Sequence, residues 1–312
     1  MELTDTMNTY MKYASMDRTK FLGPTSLEEQ AYCEWFAAEV FSGRGEIVEL
    51  GSWLGSLTVS TARGLALNTL AQPNCRIIQT YDLFRWNVGF EDWVKGTPYE
   101  QRFRPNESFR TLYEEIIAPY RTGASIVVHQ EDLSRSKWDG TPIEFLINDA
   151  WKTVPIMANI IDNFFPSLLT GSVVFHQDYL WVTESQIQIA MFLLRDYFEF
   201  PSRIENSCGV AFRKTRDIDQ EIISDLAARA SYLDFSNEEI EAAFQWSRSL
   251  FDDPEAQLVV DGAKGWMLGA IGEIDRARSV FQDIKGSEHR EHWFYKFQED
   301  ILRQWGYDYL MD

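Results

Sequence analysis

The segment Glu46-Ile-Val-Glu-Leu-Gly-Ser-Trp-Leu-Gly-Ser-Leu-Thr-Val59 constrains the chain more than any other. An apolar run enters two glycines four residues apart and leaves on a helical pattern, so it reads as a buried strand, a tight turn and a helix. Gly51 and Gly55 let the backbone turn and come close to a ligand, which a Cβ would prevent. Glu49 at the strand end offers a carboxylate to a cationic or hydroxyl-bearing group. A dinucleotide loop is disfavoured: its glycine pattern requires a second glycine where this chain has Trp53.

The text downstream repeats the alternation. A helix is expected from Thr25-Ser26, where a hydroxyl cap precedes Glu28 and Glu29, to about Phe41. Strands are expected at 76–81, 124–129, 143–148 and 172–176, with helices from Thr58 to Leu70, Glu107 to Tyr120, about 153 to 165 and Glu184 to Asp196. Two further strands near 198–205 and 209–213 end the pattern. This order predicts a doubly wound, mostly parallel seven-stranded α/β sheet of Rossmann-like type, which binds ligands at the carboxyl ends of its strands.

The expected organisation is a polar arm over 1–24, closed by Gly23-Pro24, an α/β domain over 25–214, and an all-helical C-terminal extension over 215–312. The extension reads as a cap or a dimerisation element, so a homo-oligomer is one expected assembly. Ala263, Leu268, Gly272, Ala277 and Phe281 faintly echo a helical-hairpin repeat, with no second copy. Residues 83–106 form a long irregular insertion carrying Phe84, Trp86, Phe90 and Trp93. It reads either as a lid over a substrate or as a surface insertion packed by its own aromatics.

Charge and cysteine usage narrow the partners. A net charge of −19 with no basic stripe disfavours nucleic acid and anionic membranes, leaving a small molecule as the expected partner. Cys33, Cys75 and Cys208 are scattered and suggest neither a disulfide framework nor a zinc site. With no signal-peptide pattern and no apolar run of about 20 residues, the expectation is a soluble, cytoplasmic protein.

Four acids fall at the same predicted rim: Glu49, Asp82, Asp149 and Asp178. Asp82 after the second strand suits the two hydroxyls of a ribose. Glu131 and Asp132 after the third strand could bracket an adenine. Asp149 and Asp178, with Gln177, could hold a hard cation such as Mg²⁺ that lowers the pKa of a substrate hydroxyl. Lys152 would then remove the proton, provided the site depresses its pKa from about 10.4. His129 reads as a core or edge histidine; His176 points into the sheet or serves as an alternative base.

Glu49-Leu-Gly-Ser-Trp-Leu-Gly-Ser56 resembles the first motif of catechol O-methyltransferase and its relatives, and Asp149-Ala-Trp-Lys152 resembles their Asp-x-Trp-Lys. The stretch from Asp149 to Tyr179, together with Asp82-Leu-Phe84, also resembles the macrocin O-methyltransferase-like families. The resemblance covers about residues 25–214. It implies a class I methyltransferase dependent on S-adenosylmethionine (SAM), with Glu49, Gly51, Ser52, Gly55, Asp82, Glu131 and Asp132 at the cofactor, and Asp149 and Lys152 at the chemistry. It further implies Mg²⁺ on Asp149 and Asp178. Gln177 stands where those relatives carry another acid or an Asn, so a metal-independent or nitrogen-directed enzyme is the alternative. A methyltransferase-like scaffold without activity is the third reading.

Overall fold

A computed structural model describes residues 7–14 and 25–311. Most of the expected arm, including Gly23-Pro24, lies outside the described residues. Its described part is a short helix, α1 (Met7–Met11). Helix α2 (Leu27–Trp35) starts at a full capping box, in which the Ser26 hydroxyl accepts from Glu29 N and the Glu29 carboxylate accepts from Ser26 N.

Strand β1 (Glu46–Leu50) follows and leads into helix α3 (Ser56–Leu67). Then come β2 (Ile77–Asp82), the one-turn helix α4 (Phe90–Val94), α5 (Arg110–Ile117), β3 (Ser125–Gln130) and β4 (Ile143–Asn148). Helix α6 (Val154–Asn163), β5 (Leu168–His176), α7 (Ser185–Leu193), β6 (Phe198–Arg203) and β7 (Val210–Lys214) complete the α/β part.

The strands form one seven-stranded sheet in the order β3-β2-β1-β4-β5-β7-β6. β1 to β5 are parallel, and β7 inserts antiparallel between β5 and β6. The order reverses between β1 and β4, which opens a crevice at their carboxyl ends. This is the expected Rossmann-like methyltransferase sheet. Alternate residues feed two apolar cores: Ile47, Ile78 and Phe145 face α2, α3 and α5, while Val48, Leu146 and Val174 face the opposite side.

The final third is helical, with α8 (Gln220–Ala227), α9 (Asn237–Ser249), α10 (Pro254–Ala270), α11 (Ile274–Lys285), α12 (Trp293–Gln304) and α13 (Asp308–Met311). The hairpin echoed in the sequence is α10–α11, turning at Gly272 with φ +87°. These helices share the apolar core of the α6–α7 face of the sheet, since Phe244, Val259, Ala263, Met267 and Phe294 join Val174, Tyr179 and Phe212 in one cluster. Among the described residues, no helix is long and apolar enough to cross a membrane. None of the three cysteines is in a disulfide.

Candidate active site

The switch in strand order opens into a cavity of about 1280 Å³, lined from the ends of β1, β2, β4 and β5, the 83–106 segment and the C-terminal helices. Single small-molecule pockets run to about 300–1,000 Å³, so this one has room for two ligands side by side.

The first half is built by the loop after β1. Gly51 has φ +85°, and a Cβ there would lie 2.8 Å from the carbonyl oxygen of Asp149. Ser52 and Ser56 line the cavity with buried hydroxyls; Ser52 approaches Tyr113, and neither makes a hydrogen bond of ordinary geometry among the described residues. Buried polar atoms are ordinarily satisfied, so these two mark a ligand position. A nucleoside cofactor with a polar amino-acid tail fits this cradle. Gly55 departs from expectation. It does not line the cavity; it caps α3 at φ +83° and packs on the Tyr113 ring, 3.0 Å from where its Cβ would be.

Glu49 is 1% exposed and accepts a 2.5 Å hydrogen bond from the Thr58 hydroxyl. Burial pushes its pKa up to about 8, with the like charges of Asp149 and Asp82 adding to the shift. Asp82 accepts backbone N–H bonds from Trp53 at 2.9 Å and Phe84 at 2.6 Å, so it orders the loop as well as facing the cavity. Burial raises its pKa despite those bonds. Each of its oxygens keeps a lone pair for a ribose hydroxyl. Glu131, Asp132 and Leu133 complete the far wall, where Asp132 is held in a turn by Ser134.

The second half gathers around Lys152. Its ammonium lies 2.8 Å from Asp149 Oδ1 and also bridges to Asp178 Oδ2, joining the ends of β4 and β5. Burial alone would lower the Lys152 pKa, but Asp149 and then Asp178 outweigh it and hold the group well above the ordinary lysine value. The depressed lysine that the base assignment required is therefore not what the geometry produces: in this arrangement Lys152 is a cation. Asp149 is itself shifted up by burial, opposed by Lys152.

The same contact bears on the metal expectation. The point where Asp149 and Asp178 converge holds the lysine's own positive charge. Their neighbour Gln177 brings only a neutral amide, and among the described residues no three His, Cys, Asp or Glu side chains group to hold a metal ion. In this arrangement the Lys152 ammonium takes the position between the two carboxylates where a cation would sit.

His176 is fully buried and absent from the cavity lining, with Nδ1 3.0 Å from Asn148 Nδ2. Burial takes its pKa down to about 3, and the ring lies within the sheet and not on the cavity wall. His129 sits on edge strand β3, stacked on Tyr81 and bonded to Gln79. In the 83–106 segment, Phe84 and Trp86 are core residues, 0% and 1% exposed, while Phe90 and Trp93 line the cavity. Trp53, at φ +47°, packs edge-on to Phe90 with ring centroids 3.9 Å apart and so ties the β1 loop to this segment.

Several lining residues were not anticipated. Glu29, which caps α2, has its pKa pushed up by burial to about 8. Glu184 is pushed up to about 7 by burial, with Lys152 opposing. Tyr232, Trp266, Trp293, Phe297 and Trp305 come from the C-terminal third. Helix α12 opens Trp293-Phe-Tyr-Lys-Phe297, an aromatic run plain in the sequence, but its position over the sheet rim is set by packing far from it in the chain.

No protein-family model and no curated protein sequence matches the chain. Solved structures of similar shape include the O-methyltransferase NovP, at 14% identity over 61% of this chain and 81% of that one, TM-score 0.46. CalS11, a TDP-rhamnose 3′-O-methyltransferase of calicheamicin biosynthesis, is 16% identical over 68% of this chain and 93% of that one, also at 0.46. A putative caffeoyl-CoA O-methyltransferase from Staphylococcus aureus is 10% identical over 68% and 93%, at 0.39. These likenesses are of shape and leave substrates open. On its own strand order, with β7 antiparallel between β5 and β6, the chain has the Rossmann-like fold of the class I methyltransferases.

Proposed function

We propose that the protein is a SAM-dependent methyltransferase that moves a methyl group to a hydroxyl of a small molecule without a resident metal ion. One observation carries the reading: a single cavity at the sheet's carboxyl rim joins a cradle with two buried hydroxyls short of hydrogen bonds, Ser52 and Ser56, to the Asp149–Lys152–Asp178 bridge.

SAM, when bound, supplies an electrophilic methyl group on a sulfonium. In this reading Gly51 gives the loop its close approach, and Ser52 and Ser56 hold the polar tail together with Glu49. Asp82 takes the ribose, and Glu131 and Asp132 lie beside the base. Lys152 donates a hydrogen bond to the acceptor oxygen and stabilises the negative charge that develops as its proton leaves. That proton passes to one of the two carboxylates Lys152 bridges, while the oxygen–methyl bond forms and the methyl–sulfur bond breaks. Much of the acceleration comes from alignment of oxygen, methyl and sulfur, for which the cavity has room to hold donor and acceptor side by side.

The test is methyl transfer from labelled SAM to a panel of hydroxylated acceptors, with and without EDTA. Wild-type turnover should be unchanged by EDTA. Lys152→Ala and Asp149→Asn should each lower kcat by about 10²–10⁴-fold, the range of acid–base contributions, while S-adenosylhomocysteine still binds. Full turnover in both variants would overturn the assignment.

A further inference from the structure

The acceptor half of the cavity has a charge and a wall that together select a ligand class. The loop after β5 carries Trp181, Thr183 and Glu184 into it and is held from outside: Val182 N donates to Gln298 of α12 at 3.1 Å, and the Ser185 hydroxyl donates to the Ala263 carbonyl of α10 at 2.9 Å. Glu184 is 7% exposed, and one of its oxygens accepts from Gln186 Nε2 at 2.5 Å. Gln186 in turn accepts from the Tyr232 hydroxyl, and the Tyr232 ring meets Trp266 edge-on at 5.6 Å. Across the mouth, Trp181 meets Phe297 at 5.7 Å. Glu184 is thus linked through Gln186 to Tyr232, and Trp181, Trp266 and Phe297 line the same cavity.

Two further observations point to a ligand. Trp266 and Thr183 are 8% and 5% exposed, both line the cavity, and Trp266 Nε1 and Thr183 Oγ1 have no partner among the described residues. One is a donor, and the other donates or accepts. The charge balance is equally directional. Among the described lining residues this half carries four acids, Glu29, Asp149, Asp178 and Glu184, and one lysine, Lys152, which bonds Asp149 and Asp178 directly and acts on Glu184 only through its charge.

We propose that the methyl acceptor is an organic cation that also bears a hydroxyl, its ammonium seated between Glu184 and the Tyr232, Trp266 and Trp181 rings. This deepens the methyl-transfer reading and rests on it. Ring faces attract a desolvated cation, and a carboxylate behind them adds the counter-charge. Thr183 and Trp266 then meet the polar groups of the same molecule and turn its hydroxyl toward Lys152.

The probe pair is choline and 3,3-dimethyl-1-butanol, which share a shape and a hydroxyl and differ in the charge. Their binding to the full-length protein is measured with and without saturating S-adenosylhomocysteine. Choline should bind at least about tenfold more tightly than the alcohol, since ~1.4 kcal/mol of cation–ring attraction is a factor of ten. Glu184→Gln and Trp266→Leu should each bring the two ligands to within about threefold, leaving S-adenosylhomocysteine affinity unchanged. Equal or weaker binding of choline, binding of neither probe, or a preference that survives both variants would overturn the proposal. Failure of S-adenosylhomocysteine to bind would overturn the methyl-transfer reading instead, and the choline preference would still be read on the protein alone.

Discussion

The two rims of the sheet treat buried carboxylates in opposite ways. At the amino end of β4, Glu144 is 4% exposed and accepts from Ser42 N and the Ser42 hydroxyl, both at 2.7 Å, from Arg44 N at 2.8 Å and from Gly45 N at 3.3 Å. At the carboxyl end, Glu49 has the Thr58 hydroxyl, Asp149 and Asp178 share one lysine, and the Ser52 and Ser56 hydroxyls make no hydrogen bond of ordinary geometry among the described residues. The amino rim is saturated and closes the fold. Apart from Asp82, which takes two backbone N–H bonds, the carboxyl rim is left short of partners, and that shortage is what a ligand can fill.

The largest test of this contrast is Glu144→Ala. It strands several donors in a buried loop and should cost about 3–5 kcal/mol of stability, read from urea unfolding, with no change in S-adenosylhomocysteine affinity in the folded protein. Affinity loss without stability loss would break the comparison.

Next in size is the pH dependence at Glu49. Its folded pKa of about 8 lies above the ordinary 4.5, so the group favours the ligand-free fold when protonated, and this contribution fades as pH rises from 4.5 through 8. A ligand ammonium needs the ionised form. Affinity for S-adenosylhomocysteine should therefore rise with pH up to about 8, by as much as about tenfold per unit, with proton release seen by calorimetry in buffers of different ionisation enthalpy. Glu49→Gln should remove the proton release, and a flat wild-type profile would remove Glu49 from the ligand.

The smallest effect is Ser56→Ala. Losing an unpartnered hydroxyl should change stability by less than about 0.5 kcal/mol, yet weaken S-adenosylhomocysteine binding by about 0.5–1.5 kcal/mol, roughly tenfold at most. Unchanged affinity would mean the hydroxyl is simply a tolerated defect.

What the sequence shows of this molecule follows from how local each cause is. β4 is legible because Ile143 to Asn148 is buried on both sides and its apolar residues Ile143, Phe145, Leu146 and Ile147 cluster in one short run. The capping box at Ser26 and the turn at Gly51 are likewise local. The state of Lys152 is not, because it depends on Asp178, twenty-six residues away along the chain, arriving from β5 through sheet topology. Gly55 shares its motif with Gly51 but turns away because Tyr113 of α5 packs behind it. The C-terminal helices were legible as helices, since their apolar periodicity is strong, but periodicity says nothing of which surface an apolar stripe covers. Hence Trp266 and Tyr232 were missed at the site.

That last placement has a further consequence. Trp266 faces the cavity and is also a member of the apolar cluster that joins the helical third to the sheet. The wall that would recognise the acceptor is therefore one side of the structural core itself. A lineage changing its substrate by altering this wall would draw on the same margin that keeps the chain folded, so new specificities should arise in small steps, each accompanied by compensating changes deeper in the α9–α12 packing.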